Sequence, residues 1–172
     1  MTKRSALGAL AGLVLALGYS AASSAADTGP DSRVARGQYL VVVGGCNDCH
    51  TPGYGEKGGA VPEKEWLTGA PVGFRGPWGT TYPSNLRLVV KSMSASQWIE
   101  HARKERLPPM PWFNLRKMTD EDLTAVYAYI RSLGSPGVAV PAYVAPGGKV
   151  STPYIVFVPQ TDQRAASAAP GR

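Results

Sequence analysis

The chain has 172 residues, 44% hydrophobic and 17% charged, with 20 glycines, 15 prolines, two cysteines and a formal net charge of +6. That length suits one domain with a tail, and the composition excludes collagen, a coiled coil, a polytopic membrane protein, a disulfide-rich miniprotein and a fully disordered chain. The basic excess is not a nucleic-acid signature, because no Lys/Arg cluster is interleaved with aromatic residues and no helix-turn-helix or zinc-finger spacing occurs; it reads as solvated surface, or as steering toward an acidic partner protein.

At the N-terminus, Lys3 and Arg4 precede an apolar run from Ala6 to Gly18 and then the small residues Ser23, Ser24, Ala25 and Ala26. That order predicts a secretory signal over residues 1–26, cleaved after Ala26 or Ala25, and hence a periplasmic location. An uncleaved membrane anchor is the alternative. Beyond it, the pattern predicts a folded domain over 27–135 and a Pro-rich C-terminal extension over 136–172.

The first folded element is expected over Asp31 to Gly45, with Ser32 as a cap. Val34, Gly37 and Val41 recur at helical spacing, yet Tyr39–Val43 is β-branched enough to pass as a strand. Residues 51–93 carry eight glycines and five prolines, which argues against long regular elements. So long a loop is acceptable if it wraps a large rigid ligand. A short helix is predicted over Ser94–Lys104, with Ser94 and Gln97 as a capping box and Ala95, Trp98, Ile99 and Ala102 as its apolar stripe. Leu107–Pro111 is predicted to be extended. Thr119–Leu133 is the clearest helix. Thr119 caps it, Asp120, Glu121 and Asp122 complement its dipole, and Gly134 with Pro136 stops it. Leu123, Val126, Tyr127, Ile130 and Leu133 form its buried stripe. Tyr154–Val158 reads as one edge strand or an extended segment lying on the domain, and residues 161–172 as a disordered tail.

Both cysteines fall in Cys46-Asn47-Asp48-Cys49-His50. This is C-x-x-C-H, the attachment signature of a c-type haem. On one helical turn, positions i and i+3 face the same way, so both thiols can meet the two vinyl groups of one porphyrin edge. His50, at i+4 from Cys46, can then reach the iron. The rival readings are weaker. A redox C-x-x-C needs no adjacent histidine and has no βαβ pattern around it here. A zinc site needs more ligands at paired spacing. A disulfide between residues three apart closes too small a loop to stabilise much.

The iron then needs a sixth ligand or an open site. Met110 is the candidate, because Pro108, Pro109 and Pro111 stiffen its loop and lower the entropy lost in ordering it. Met118 and Met93 each precede a helix cap, where an apolar staple residue belongs. His101, the other histidine, lies off the centre of its helix's stripe and reads as a solvated surface residue, with a bis-His haem that uses it as the lesser alternative. Trp66, Trp78, Tyr82, Trp98 and Trp112 are candidates to pack on the porphyrin, Trp78 or Trp112 foremost. Arg75, Asn85 and Arg87 are candidates to bind the haem propionates. Pro62 or Pro71 is a candidate to orient His50 through its carbonyl.

An apolar N-terminal helix, the C-x-x-C-H turn, a long Gly/Pro loop, Met110-Pro111 and a final helix at Thr119–Leu133 follow one another in that order. The chain thereby resembles a class I c-type cytochrome with one haem. The resemblance implies an all-α fold, three to four helices wrapped with long Gly/Pro loops around one covalent haem c. It also implies that the first and last helices cross near a small residue, with Gly37 and Tyr127 or Tyr129 as the matching positions. A narrower resemblance covers residues 35 to 133. Arg36-Gly37-Gln38-Tyr39-Leu40, Cys46 to Pro52, Gly79 to Asn85 and Pro109-Met110-Pro111 look like cytochromes and cytochrome subunits that serve periplasmic dehydrogenases. Those subunits often carry three haem modules, whereas this chain has one. Here Arg87-Leu88-Val89 replaces their usual Thr-Pro-Asp turn.

The expectation is therefore an electron carrier rather than an enzyme. Cys46 and Cys49 attach the haem, and His50 and Met110 ligate its iron. The expected partners are redox proteins, a periplasmic dehydrogenase as donor and an oxidase or another cytochrome as acceptor. Nucleic acid is not among them, and a membrane would be met only through a partner or an uncleaved N-terminus. The alternatives are a fixed cytochrome subunit of a membrane-associated dehydrogenase complex and a haem enzyme or sensor with a displaceable Met110.

Overall fold

A computed structural model of the chain describes residues 29–159. The predicted signal over 1–26 and the tail over 161–172 lie outside the described residues. In chain order the described elements are α1 (Pro30–Val43), α2 (Cys46–His50), a 3-10 turn (Glu63–Glu65), β1 (Gly73–Gly76), β2 (Gly79–Thr81), α3 (Leu86–Lys91), α4 (Ala95–Ala102), α5 (Trp112–Lys117), α6 (Asp120–Ser132) and β3 (Tyr154–Val156). The fold is mainly helical, as expected, but with six helices and a small sheet among the described residues rather than three to four helices alone.

α1 resolves the helix-or-strand ambiguity over Tyr39–Val43 in favour of helix. Gly37, Leu40 and Val41 then share one buried face, which strand alternation would have split. Its N-cap is Gly29 and not Ser32; Ser32 Oγ donates to the Gly29 carbonyl at 2.7 Å. α4 carries the predicted capping box, Ser94 Oγ accepting from Gln97 N and Gln97 Oε1 from Ser94 N. Thr119 caps α6 by accepting from Asp122 N.

α3 lies where the glycine count argued for loop. It forms because the Asn85 side chain accepts from both Arg87 N and Leu88 N, satisfying two of the orphan donors that a helix start leaves open.

α1 and α6 make the most extensive contact between helices. Gly37 is what lets them approach. A Cβ built there would lie 2.0 Å from the Ala125 carbonyl oxygen and 2.7 Å from Tyr129 Cβ. Tyr129, not Tyr127, is thus the tyrosine at the crossing. Arg36 pairs with Asp122 across the same two helices at 3.0 Å. The core beneath joins Leu40 and Val41 of α1 to Leu123, Val126 and Ile130 of α6, with Trp98 of α4 donating from Nε1 to the Leu123 carbonyl at 3.0 Å.

The sheet has the order β2-β1-β3, β1 antiparallel to β2 and parallel to β3. The run at Tyr154 is therefore an edge strand. Among the described residues, no helix is long and apolar enough to cross a membrane.

Candidate functional site

Gly45 starts the site. Its φ of +67° is left-handed, a conformation glycine adopts without a Cβ penalty, and it turns the chain from α1 directly into α2. α2 is a single turn that presents Cys46, Cys49 and His50 to one cavity of about 520 Å³. That volume falls within the roughly 300–1,000 Å³ of ordinary small-molecule and cofactor sites. Leu86, Trp98, Val126 and Ile130 supply apolar wall.

Both thiols are free. Burial pushes the Cys46 thiol up to about 11, and the neighbouring Asp48 carboxylate adds to the rise. The Cys49 thiol is raised for the same reasons. A redox-active C-x-x-C needs the opposite, a depressed thiol, so the disulfide-exchange reading loses its chemistry here. No three His, Cys, Asp or Glu side chains among the described residues converge as a metal-ligand set, which leaves the zinc reading without donors.

His50 is buried, and burial lowers its pKa, so the neutral imidazole is favoured. Its Nδ1 lies 2.8 Å from the Ser84 carbonyl oxygen. A carbonyl only accepts, so Nδ1 carries the proton and Nε2 keeps its lone pair for a metal. The orienting carbonyl is therefore that of Ser84, not of Pro62 or Pro71. The turn is locked from behind. Thr51 Oγ1 donates to Asn47 Oδ1 at 2.7 Å and accepts from Leu67 N at 2.8 Å. Leu67 holds a left-handed φ of 59°, fully buried and bonded on both sides, its carbonyl accepting from Leu86 N. Nothing in the sequence signals that conformation, because it is imposed by these tertiary bonds.

Met110 lines the same cavity, far along the chain from α2. Its loop is tied down where Thr81 Oγ1 donates to the Pro108 carbonyl at 2.9 Å. Both thiols, a metal-ready imidazole and a thioether thus share one mainly apolar chamber, the donor set a covalently held haem requires. The residues fit the group.

Other placements differ from the sequence reading. His101 is not a solvated surface residue: it lines the cavity, stacked on Trp98 with ring centroids 6.1 Å apart. Trp98 and Tyr82 reach the cavity, whereas Trp66, Trp78 and Trp112 do not line it. Trp78 packs edge-on against Phe157, and Trp112 lies under Arg116. None of the three propionate candidates lines the cavity. Arg75 sits over the Tyr154 ring, Asn85 caps α3, and Arg87 is buried with donors spent on the carbonyls of Gly134, Lys64 and Trp66. The cavity's cation is Arg106, which donates to the His101 carbonyl at 2.8 Å. Met118 packs on the core as a staple should, and also lines the cavity. Arg106 is legible in the sequence as a charge but not as a lining residue; Pro141 and Tyr143, which also line it, give no signal at all.

The family described as Cytochrome c matches the chain over residues 34–134. No curated protein and no solved structure matches it.

Proposed function

Because the chain belongs to the cytochrome c family, whose members bind haem c covalently and transfer electrons, we propose that it is a periplasmic single-haem carrier with His50 and Met110 as its axial ligands. The observation that carries this reading is the shared cavity. Cys46 and Cys49 stand ready for the two thioether bonds, His50 presents Nε2 as a ligand, and Met110 reaches the same chamber. When bound, the haem supplies a one-electron ferrous/ferric couple. The chain's part would be to hold that group rigid and exclude water from it, with His50 and Met110 as the residues that would ligate its iron and so keep substrates off it. A neutral thioether ligand favours the reduced form and raises the potential.

The cavity wall that carries Met110 supports an acidic redox partner. Lys104, Arg106, Arg116 and Lys117 flank Met110 in the chain, and Arg106 lines the cavity beside Glu105; none of the four cations has an ion-pair partner among the described residues, and Leu107 and Phe113 are exposed between them. Apolar contact framed by unpaired cations suits a brief, electrostatically steered encounter. A periplasmic dehydrogenase as donor and an oxidase or second cytochrome as acceptor fit that surface and the predicted secretory signal. A second reading, a fixed subunit of a dehydrogenase complex, draws on β3 and the residue after it, where Tyr154, Ile155, Val156 and Phe157 are all exposed. Native purification separates the two, since a carrier runs alone and a subunit does not.

The ligand set is tested on the oxidised protein. The visible spectrum should show the weak thioether-to-iron charge-transfer band, and Met110→Ala should abolish it and turn the iron high-spin. An unchanged spectrum in that variant would remove Met110 from the site.

A further inference from the structure

We propose that residues 136–158 form a fixed strap that completes the haem site and clamps the wall orienting His50. This inference rests on the haem reading above, and it concerns a segment that lies wholly beyond the stretch matched to the family.

The strap is tied to residues 73–85 near both its ends and at its middle. Asn85 Nδ2 donates to the carbonyls of Pro136 at 3.0 Å and Val138 at 3.4 Å. Thr80 and Val144 exchange two backbone hydrogen bonds, at 2.7 and 3.0 Å. Tyr143 OH donates to the Trp78 carbonyl at 2.8 Å, and Tyr82 OH bonds Thr152 Oγ1 at 2.7 Å. β3 then pairs with β1, and Phe157 N donates to the Arg75 carbonyl at 2.8 Å.

The partner segment is shaped to receive it. A Cβ on Gly79 would lie 2.3 Å from the Val144 carbonyl oxygen, and one on Gly69 would lie 2.6 Å from Val140 Cγ1. Both glycines also hold positive φ, +101° and +79°. The Gly69 amide donates to the His50 carbonyl at 2.8 Å, so the strap packs directly on the shell of the iron ligand.

The clamped segment is the one that matters to the haem. Thr81, Tyr82, Pro83 and Ser84 line the cavity, and the strap adds Pro141 and Tyr143 to the same lining. Ser84, whose carbonyl holds His50 Nδ1, stands next to Asn85, which anchors the start of the strap. The carbonyl is a backbone group with no side chain of its own to fix it. Its position follows from what grips the backbone on either side. Loosening the strap therefore acts on two quantities that tune a haem, the orientation of its proximal histidine and its exposure to solvent.

Three variants test this with the full chain. Asn85→Asp keeps the cap on α3, since aspartate caps as well as asparagine. It has no N–H, however, and sets a carboxylate against the Pro136 and Val138 carbonyls. Tyr143→Ala removes the cavity-lining ring from a half-exposed position, and Tyr143→Phe restores the ring without the hydroxyl. Intact mass reports covalent haem. The Asn85→Asp and Tyr143→Ala chains should both retain it, yet their ferric forms should bind added imidazole roughly tenfold more tightly, within the usual range of coupling between sites. Their midpoint potentials should fall, and Tyr143→Phe should recover most of both properties. Wild-type imidazole affinity and midpoint in both variants, with haem attached, would overturn the strap. Absence of covalent haem from the wild-type protein would instead sink the haem reading beneath it.

Discussion

His50 Nδ1 donates to the Ser84 carbonyl oxygen across 2.8 Å. That bond joins the end of α2 to a segment 34 residues downstream and fixes which imidazole nitrogen is free. Burial reinforces it by disfavouring the charged ring. A protonated imidazolium could not serve as a ligand, so the same burial that lowers the pKa prepares the residue for metal.

The cations flanking Met110 in the chain predict salt-sensitive electron transfer. A double charge reversal, Lys104→Glu with Lys117→Glu, should slow reduction by an acidic donor protein roughly tenfold or more at low ionic strength. The difference should shrink as salt rises, because exposed charges are screened. Stopped-flow reduction across a salt series measures it, and equal rates at low salt would move the docking face elsewhere.

Gly37 predicts a folding defect. Gly37→Ala would drive a methyl into the Ala125 carbonyl of α6. The two helices must separate, at a cost of at least about 2 kcal/mol. Urea denaturation of the haem-loaded protein should show a lower midpoint.

Arg87 predicts a loss of stability without a spectral change. The side chain is buried, and its donors satisfy three backbone carbonyls. Arg87→Met leaves those acceptors dry and unpaired, which should cost on the order of 3 kcal/mol. It does not line the cavity, so the visible spectrum should match the wild type. A shifted haem spectrum would return Arg87 to the site.

Tyr129 predicts alkaline sensitivity. Burial raises its phenolic pKa, and the hydrogen bond it donates to Glu63 Oε1 at 2.8 Å raises it further. Below pH about 10, the ordinary phenol value, folded and unfolded chains both keep the proton. Above it the unfolded chain ionises while the folded one resists, so stability falls as pH rises toward the folded value. Tyr129→Phe should cost about 1 kcal/mol at pH 7 and flatten that alkaline decline. Denaturation at pH 8 and pH 11 compares the two.

The haem motif and the capped helices α4 and α6 are legible in the sequence, whereas Gly37 at the helix crossing follows only from the family resemblance and the edge strand is one of two readings of Tyr154–Val158. The motif and the caps depend on residues close together in the chain, where spacing and side-chain type act directly. The remaining features come from long-range packing. Asn85 and Arg87 resemble propionate ligands in sequence because polar residues in a loop carry no mark of their partners; α3 and three distant carbonyls claim them. His101 reads as solvated on its own helix, yet it lines the same chamber as the distant Met110 loop. The carbonyl for His50 cannot be read from any side chain, since every residue has one. The packing of Pro141 and Tyr143 on the cavity is likewise a property of where the chain returns, not of the residues that return.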